Sequence, residues 1–219
     1  MGDDLKPALA ELIGTFTLVF IGAGAGALAG SSGSGLVGVA LAHGMALTAI
    51  IYAWGNVSGA HVNPAVTFSI ALTGKMPWRR AFSYWTAQLA GAVLAGYLLL
   101  RVVGAESGLG ATTGSLTTSD TFGTILVEAI LTFFLVIAVF GSAVAGRNAE
   151  AVGLAIGLVL TADILAGGPL TGASMNPART FGPALAIGDL SYMWMYIVGP
   201  FTGGGLAALV YDRLFLRKP

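Results

Sequence analysis

The chain has 219 residues, of which 56% are apolar and only 9% charged, with a mean hydropathy of +0.85 and a formal net charge of zero. A soluble domain carries about 25% charge, so lipid rather than water must cover most of this surface. The balance leaves no basic patch for nucleic acid. The lack of Cys excludes disulfides and thiolate metal sites, and two His without neighbouring carboxylates make no metal cluster.

The elements follow in order. Residues 8–29 form a first membrane span, with Glu11 near its start, and Gly30 to Gly35 is a short polar turn. Asp3 and Asp4 before it, and a first apolar run too long for a signal core, argue against a cleavable signal. Residues 36–55 are a second span, and 56–62 a loop into a short helix over 64–73. No Asp, Glu, Lys or Arg lies between Glu11 and Lys75, so the chain must fold back within the membrane. Lys75, Arg79 and Arg80 mark an exit to water. A third span covers 81–103, and the Gly/Ser/Thr-rich stretch 104–120 reads as a connecting loop. A fourth span covers 122–145 and a fifth 150–167. An unwound segment over 167–175 leads into a second short helix at 177–187, and 191–213 is the sixth span.

One stretch is said twice. Ser58-Gly59-Ala60-His61-Val62-Asn63-Pro64-Ala65-Val66-Thr67-Phe68 returns as Thr171-Gly172-Ala173-Ser174-Met175-Asn176-Pro177-Ala178-Arg179-Thr180-Phe181, offset by 113 residues. Asn caps a helix through its side-chain oxygen, and Pro suits the first helical position, where its missing N–H costs nothing. Each copy therefore turns from irregular chain into a helix at the Asn. Gly74 and Pro77 stop the first helix and Gly188 the second. At 1.5 Å per residue, each reaches about half of a hydrocarbon core of ~30 Å. Glu11-x-x-x-Thr15-Phe16-x-Leu18-Val19 likewise returns as Glu128-x-x-x-Thr132-Phe133-x-Leu135-Val136.

Each half is three spans plus one short helix. Because three is odd, the second half enters from the opposite face, which makes an inverted repeat with its site at the midplane. The expected fold is all-α: one transmembrane domain over 1–219, with repeats at about 8–103 and 122–213 linked by 104–121. Lys6, Lys75, Arg79, Arg80, Arg147, Arg213, Arg217 and Lys218 fall on one side, with Arg101 at the other. That bias places both termini in the cytoplasm, in what we expect to be the cell membrane.

These residues resemble the aquaporins, the major intrinsic proteins, over nearly the whole chain. The resemblance implies that Asn63-Pro64-Ala65 and Asn176-Pro177-Ala178 meet at the centre of a narrow pore, in a homotetramer with one pore per subunit. It implies passive passage of water and small neutral solutes such as ammonia or hydrogen peroxide across a lipid bilayer, with protons and ions excluded. No cofactor, metal, nucleic-acid partner or enzymatic activity is expected. By family position, His43, Ile164, Ala173 and Arg179 form the selectivity filter, and this set is similar to that of the plant tonoplast subgroup. His43 is expected to stay neutral and to hydrogen-bond passing solutes. Glycerol-conducting members usually carry Asp after the filter Arg and a basic residue further on; here Thr180 and Ala184 stand there.

Other residues have competing readings. An intramembrane Arg179 is functional by default. Glu11 and Glu128 could be proton relays, and then the chain would be an inverted-repeat, proton-coupled secondary transporter. Their duplicated placement suits a structural role better, accepting hydrogen bonds from the loops before each Asn. On that reading Glu11→Gln should be largely tolerated. His61 either ties down its loop or senses pH, and its place beside the first motif suits the loop role better. Asp163 either accepts hydrogen bonds from the 167–175 segment or faces the outer vestibule. Gly22-x-Gly24-x-Gly26 and Gly203-Gly204-Gly205 mark close helix packing.

Overall fold

The computed structural model describes residues 4–146 and 149–216 and is helical throughout, with no strand among them. Its helices are α1 (Leu5–Ser32), α2 (Gly35–Ser58), α3 (Pro64–Leu72), α4 (Trp78–Val103), α5 (Thr121–Val139), α6 (Val152–Thr171), α7 (Pro177–Ile187) and α8 (Met195–Tyr211). A π-turn at Phe140–Val144 prolongs α5, and another at Asp212–Leu216 prolongs α8. Five helices are long and apolar enough to cross a membrane. The sixth, α8, has 17 α-helical residues and gains its remaining length from the π-turn.

The ends are fixed by local chemistry. Gly33 breaks α1 from α2 in a left-handed conformation, φ 70°. Asn63 and Asn176 cap α3 and α7, each with Pro at the first helical position, and Gly188 ends α7 at φ 81°. Asp120 caps α5 by accepting from Gly123 N.

Two boundaries differ from the sequence reading. Helix α6 does not unwind at residue 167 but runs through Pro169 to Thr171. The last carbonyls of α6 are capped by the chain after residue 113: Ser115 N donates to Pro169 O at 3.0 Å and Leu116 N to Leu170 O at 2.9 Å. The 104–120 stretch is therefore not a slack connector. It opens with a 3-10 turn at Ala105–Gly110 that packs on α1, α4 and α7.

Helix α1 packs on α2 and α4, α5 packs on α6 and α8, and α2 crosses α6. Each short helix lies on a long helix of the other half, α3 on α8 and α7 on α4. The α2–α6 crossing is close because it is made of glycine. A Cβ at Gly44 would strike the Thr161 hydroxyl and the Gly157 carbonyl; one at Gly157 would strike the Thr48 hydroxyl and the Gly44 carbonyl. Small residues let membrane helices approach in this way.

Ion pairs gather at one end of the bundle. Asp4 accepts from Arg79 Nη2 at 2.9 Å and from Arg80 Nε at 3.0 Å, and Lys75 pairs with Asp212. Arg147, Arg217 and Lys218, which the sequence placed on this side, lie outside the described residues. Arg80 and then Arg79 hold the Asp4 carboxyl below the usual carboxylate range. A group with a lowered folded value contributes stability above its unfolded value and loses it as pH falls through the folded one.

Two outcomes are expected. Gly157→Val should cost about 1–3 kcal/mol through overpacking and lower the melting temperature in detergent. Gly30→Ala, at a position with open space around it, should not. The melting-temperature gap between wild type and Asp4→Asn should be small at neutral pH, since such exposed pairs contribute little, and should close as pH drops below the carboxylate range.

Candidate functional site

The two copies of the repeated stretch meet. Asn63 spends its side-chain oxygen on Ala65 N at 2.8 Å and donates from Nδ2 to Met175 O at 2.9 Å. Asn176 accepts from Ala178 N at 3.0 Å and Arg179 N at 3.3 Å, and donates from Nδ2 to Val62 O at 2.8 Å. Each cap thus holds the backbone just before the other cap. An amide nitrogen has two hydrogens, so each Asn keeps one donor for the cavity it lines.

That geometry requires unusual backbone. Ala60, Val62, Ala173 and Met175 all have positive φ, between 44° and 52°. For non-glycine residues this costs about 1–3 kcal/mol each and persists only where surroundings impose it. The surroundings are two fully buried carboxylates. Glu11 Oε1 accepts from Ser58 Oγ at 2.7 Å and His61 N at 2.9 Å. Its Oε2 accepts from Val62 N at 2.6 Å and Gln88 Nε2 at 2.8 Å. Glu128 Oε1 accepts from Thr171 Oγ1 at 2.7 Å and Ser174 N at 2.9 Å, and Oε2 from Met175 N at 2.7 Å. The structural reading of both carboxylates agrees with this geometry. The tyrosines match as well: Tyr84 donates to Ser58 O at 2.7 Å and Tyr196 to Thr171 O at 2.6 Å.

The interior cavity, about 210 Å³, runs past both Asn residues. His43 and Arg179 line it too, as do apolar side chains including Leu47, Val66, Leu135 and Ile156. Arg179, 5% exposed, is held on three sides: Nε donates to His43 Nε2 at 3.3 Å, and Nη1 to Gly110 O at 2.7 Å and to Thr112 Oγ1 at 3.3 Å. Thr112 in turn shares a hydrogen bond with Thr180 at 2.8 Å.

His43 corrects an expectation. Its Nδ1 lies 2.9 Å from Val39 O. A carbonyl only accepts and an Arg Nε only donates, so the proton sits on Nδ1 and the Nε2 lone pair receives Arg179. The ring is neutral, as expected. Both nitrogens are already committed, however, so His43 positions Arg179 instead of bonding a solute. Ile164 and Ala173 are buried at 3% and 2% exposure and do not line the cavity that His43 and Arg179 share.

His61 does anchor its loop, with Nδ1 3.1 Å from Thr67 Oγ1. Asp163 neither takes a hydrogen bond from the segment before α7 at its buried Oδ2 nor faces solvent: that oxygen has no partner and the residue is 5% exposed. The sequence reading missed the grip of Gly110 and Thr112 on Arg179. It read Gly22 as a close-packing position, as it is, but not that the ring packed there is His43. The signals were there, in a Gly/Thr-rich stretch and a small-residue run, but neither says what it packs against.

A bundle of membrane-crossing helices, with two short capped helices meeting at a shared interior cavity, is a multi-pass integral membrane protein. The sequence matches the profile described as Major intrinsic protein over residues 2–211. It is 47% identical to Aquaporin TIP4-4 of Zea mays, covering 98% of this chain and 88% of that one. It is 43% identical to Aquaporin TIP2-1 of Arabidopsis thaliana, covering 97% and 88%. Its fold superposes on the X-ray structure of the aquaglyceroporin from Plasmodium falciparum with a TM-score of 0.79 at 26% identity, covering 96% of each chain. The chain belongs to the major intrinsic protein family, whose members are channels and not enzymes. Relatives of the tonoplast type tell against the cell membrane expected from the sequence.

The carboxylate geometry revises the effect of Glu11→Gln. An amide has one oxygen, so whichever way it turns, its NH2 faces a backbone N–H, that of His61 or of Val62. Glu11→Gln should cost about 1–3 kcal/mol for each donor left unpaired, seen as a lowered melting temperature, and Glu11→Leu should cost more.

Proposed function

We propose that the cavity is a passive transmembrane pore for water and small neutral solutes. The observation that carries this is the pair of Asn caps at its centre, each with one amide hydrogen to spare. The N-termini of α3 and α7 both aim at that centre and bring partial positive charge. A water molecule there accepts from the amides and turns its hydrogens outward, which interrupts a proton wire and repels cations. The two halves form an inverted repeat, 8–103 and 122–213, and both termini lie in the cytoplasm, on the side of Lys75, Arg79 and Arg80. Apolar outer faces such as Met45 and Phe122 (66% and 73% exposed) meet lipid or neighbouring copies in a homotetramer.

Of the four expected filter residues, His43 and Arg179 line the cavity and carry the filter, with Ile164 and Ala173 buried outside its lining. Arg179 commits Nε and Nη1 to the protein and keeps Nη2 without a partner among the described residues. Nη2 is the donor a solute meets, and His43 fixes where it stands. A donor-bearing filter with Ile164 and Ala173 beside it suits solutes that accept through a lone pair: water, ammonia and hydrogen peroxide. A bulky polyol needs acceptors as well as donors, and Thr180 and Ala184 supply no extra charge. The proton-coupled transporter reading has less support, because Glu11 and Glu128 are saturated by loop donors and the centre carries amides.

Stopped-flow measurements on proteoliposomes test this. Water should pass fast, ammonia or peroxide above protein-free vesicles, and glycerol poorly. Arg179→Val should admit larger solutes and some cations. His43→Phe should move selectivity the same way, because it releases Arg179 Nε. Glycerol flow equal to water flow in the wild type would refute the filter assignment.

A further inference from the structure

Helices α2 and α6 correspond residue by residue at the offset of the repeat. Gly44 and Gly157 face each other at the crossing; Thr48 and Thr161 bond back to Gly44 O and Gly157 O; Ser58 and Thr171 donate to Glu11 and Glu128. In that register Ile50 corresponds to Asp163. Ile50 is 3% exposed, apolar and set against Gly14 of α1. Asp163 is 5% exposed, and its Oδ2 has no hydrogen-bond partner. One half of the fold closes this position with hydrocarbon, so the architecture does not need a carboxyl there. An orphaned buried acceptor costs stability, and an unpaired buried charge costs far more.

The neighbours decide its chemistry. Helix α6 packs against α2, α5, the π-turn after α5 and the 3-10 turn before α6. Their titratable groups are His43 and Tyr52 on α2, Glu128 on α5 and Glu150 on the 3-10 turn. His43 is turned to Arg179, and Tyr52 donates to Glu150 O at 2.9 Å. The charge that Asp163 meets is Glu128. Glu128 takes N–H and O–H donors on both oxygens, as an anion does. Two neighbouring carboxylates in an apolar place do not both ionise.

We propose that Asp163 is a proton-binding site of the channel. Its carboxyl is neutral while Glu128 is the anion. Losing the proton sets two negative charges beside residues 171–175, loosens the segment that presents Asn176 and Arg179, and lowers flux. The flux part rests on the channel reading above; the proton itself does not.

The test has two arms. Infrared spectra of the protein in lipid vesicles should contain the carbonyl stretch of a buried neutral carboxylic acid, which Asp163→Asn and Asp163→Ile both remove. In stopped-flow, wild-type water permeability should fall as pH rises, while both variants show no such fall. Asp163→Ile, which copies Ile50, should also raise the melting temperature and covers the case in which Asp163→Asn fails to fold. A wild-type spectrum without the band, a band that survives both substitutions, or an unchanged pH response in the variants would overturn the proposal. Vesicles without water flux at any pH would refute the channel reading while the infrared arm still decides the proton site.

Discussion

The two asparagine caps hold each other's approach, and the rest of the structure is arranged so that they can. For Asn63 to reach Met175 O and Asn176 to reach Val62 O, the residue before each Asn must turn its carbonyl across the molecular centre. That needs left-handed backbone at Val62 and Met175. The strain is offset by hydrogen bonds to carboxylates, which are stronger than neutral ones and worth about 1.5–3 kcal/mol each. Glu11 and Glu128 are therefore a consequence of the caps. Irregular backbone deep in a membrane needs its N–H groups satisfied, and a buried carboxylate with two oxygens satisfies adjacent N–H groups from one point.

The cost of burying those charges bears on function. An anion in an apolar interior is tolerable when it is fully hydrogen-bonded and near positive potential. The N-termini of α3 and α7 lie close by and supply that potential. The same dipoles also face the cavity between Asn63 and Asn176. On the proposed pore reading, stabilising the fold and repelling cations from the centre are one electrostatic arrangement.

Most of this was legible because it was duplicated. Repetition turned Asn-Pro-Ala, a weak tripeptide, into a signal, and capping chemistry then placed α3 and α7. The duplicated Glu pointed to a structural carboxylate. What was not legible were partners between segments distant in sequence. The fifth span reads as ending at residue 167, whereas α6 continues to Thr171 and Ser115 and Leu116 cap its last carbonyls. His43 reads as a free filter ring because no spacing rule says that Arg179, on another helix, takes Nε2. The 104–120 stretch reads as a connector, since composition cannot show that Gly110 O holds the guanidinium.

Where the halves differ, the cavity becomes directional. In the register of the repeat, Arg179 corresponds to Val66, His43 to Ile156, Ile164 to Ile51 and Ala173 to Ala60. Val66, Ile156, Ile51 and Ala60 all line the cavity. The end opposite Arg179 is thus an apolar counterpart of the proposed filter, with the same backbone plan and no hydrogen-bonding side chain at those positions. Desolvation is demanded at both ends, but only the Arg179 end offers a compensating donor. On the proposed pore reading, a solute that accepts hydrogen bonds meets its discriminating contact once, beside Arg179, then crosses the Asn pair and leaves past hydrocarbon that holds it weakly. On that reading a cation gains nothing from the apolar end and is opposed by Arg179 at the other. The duplication supplies the scaffold, and on the proposed reading a few unmatched side chains on it supply the selectivity.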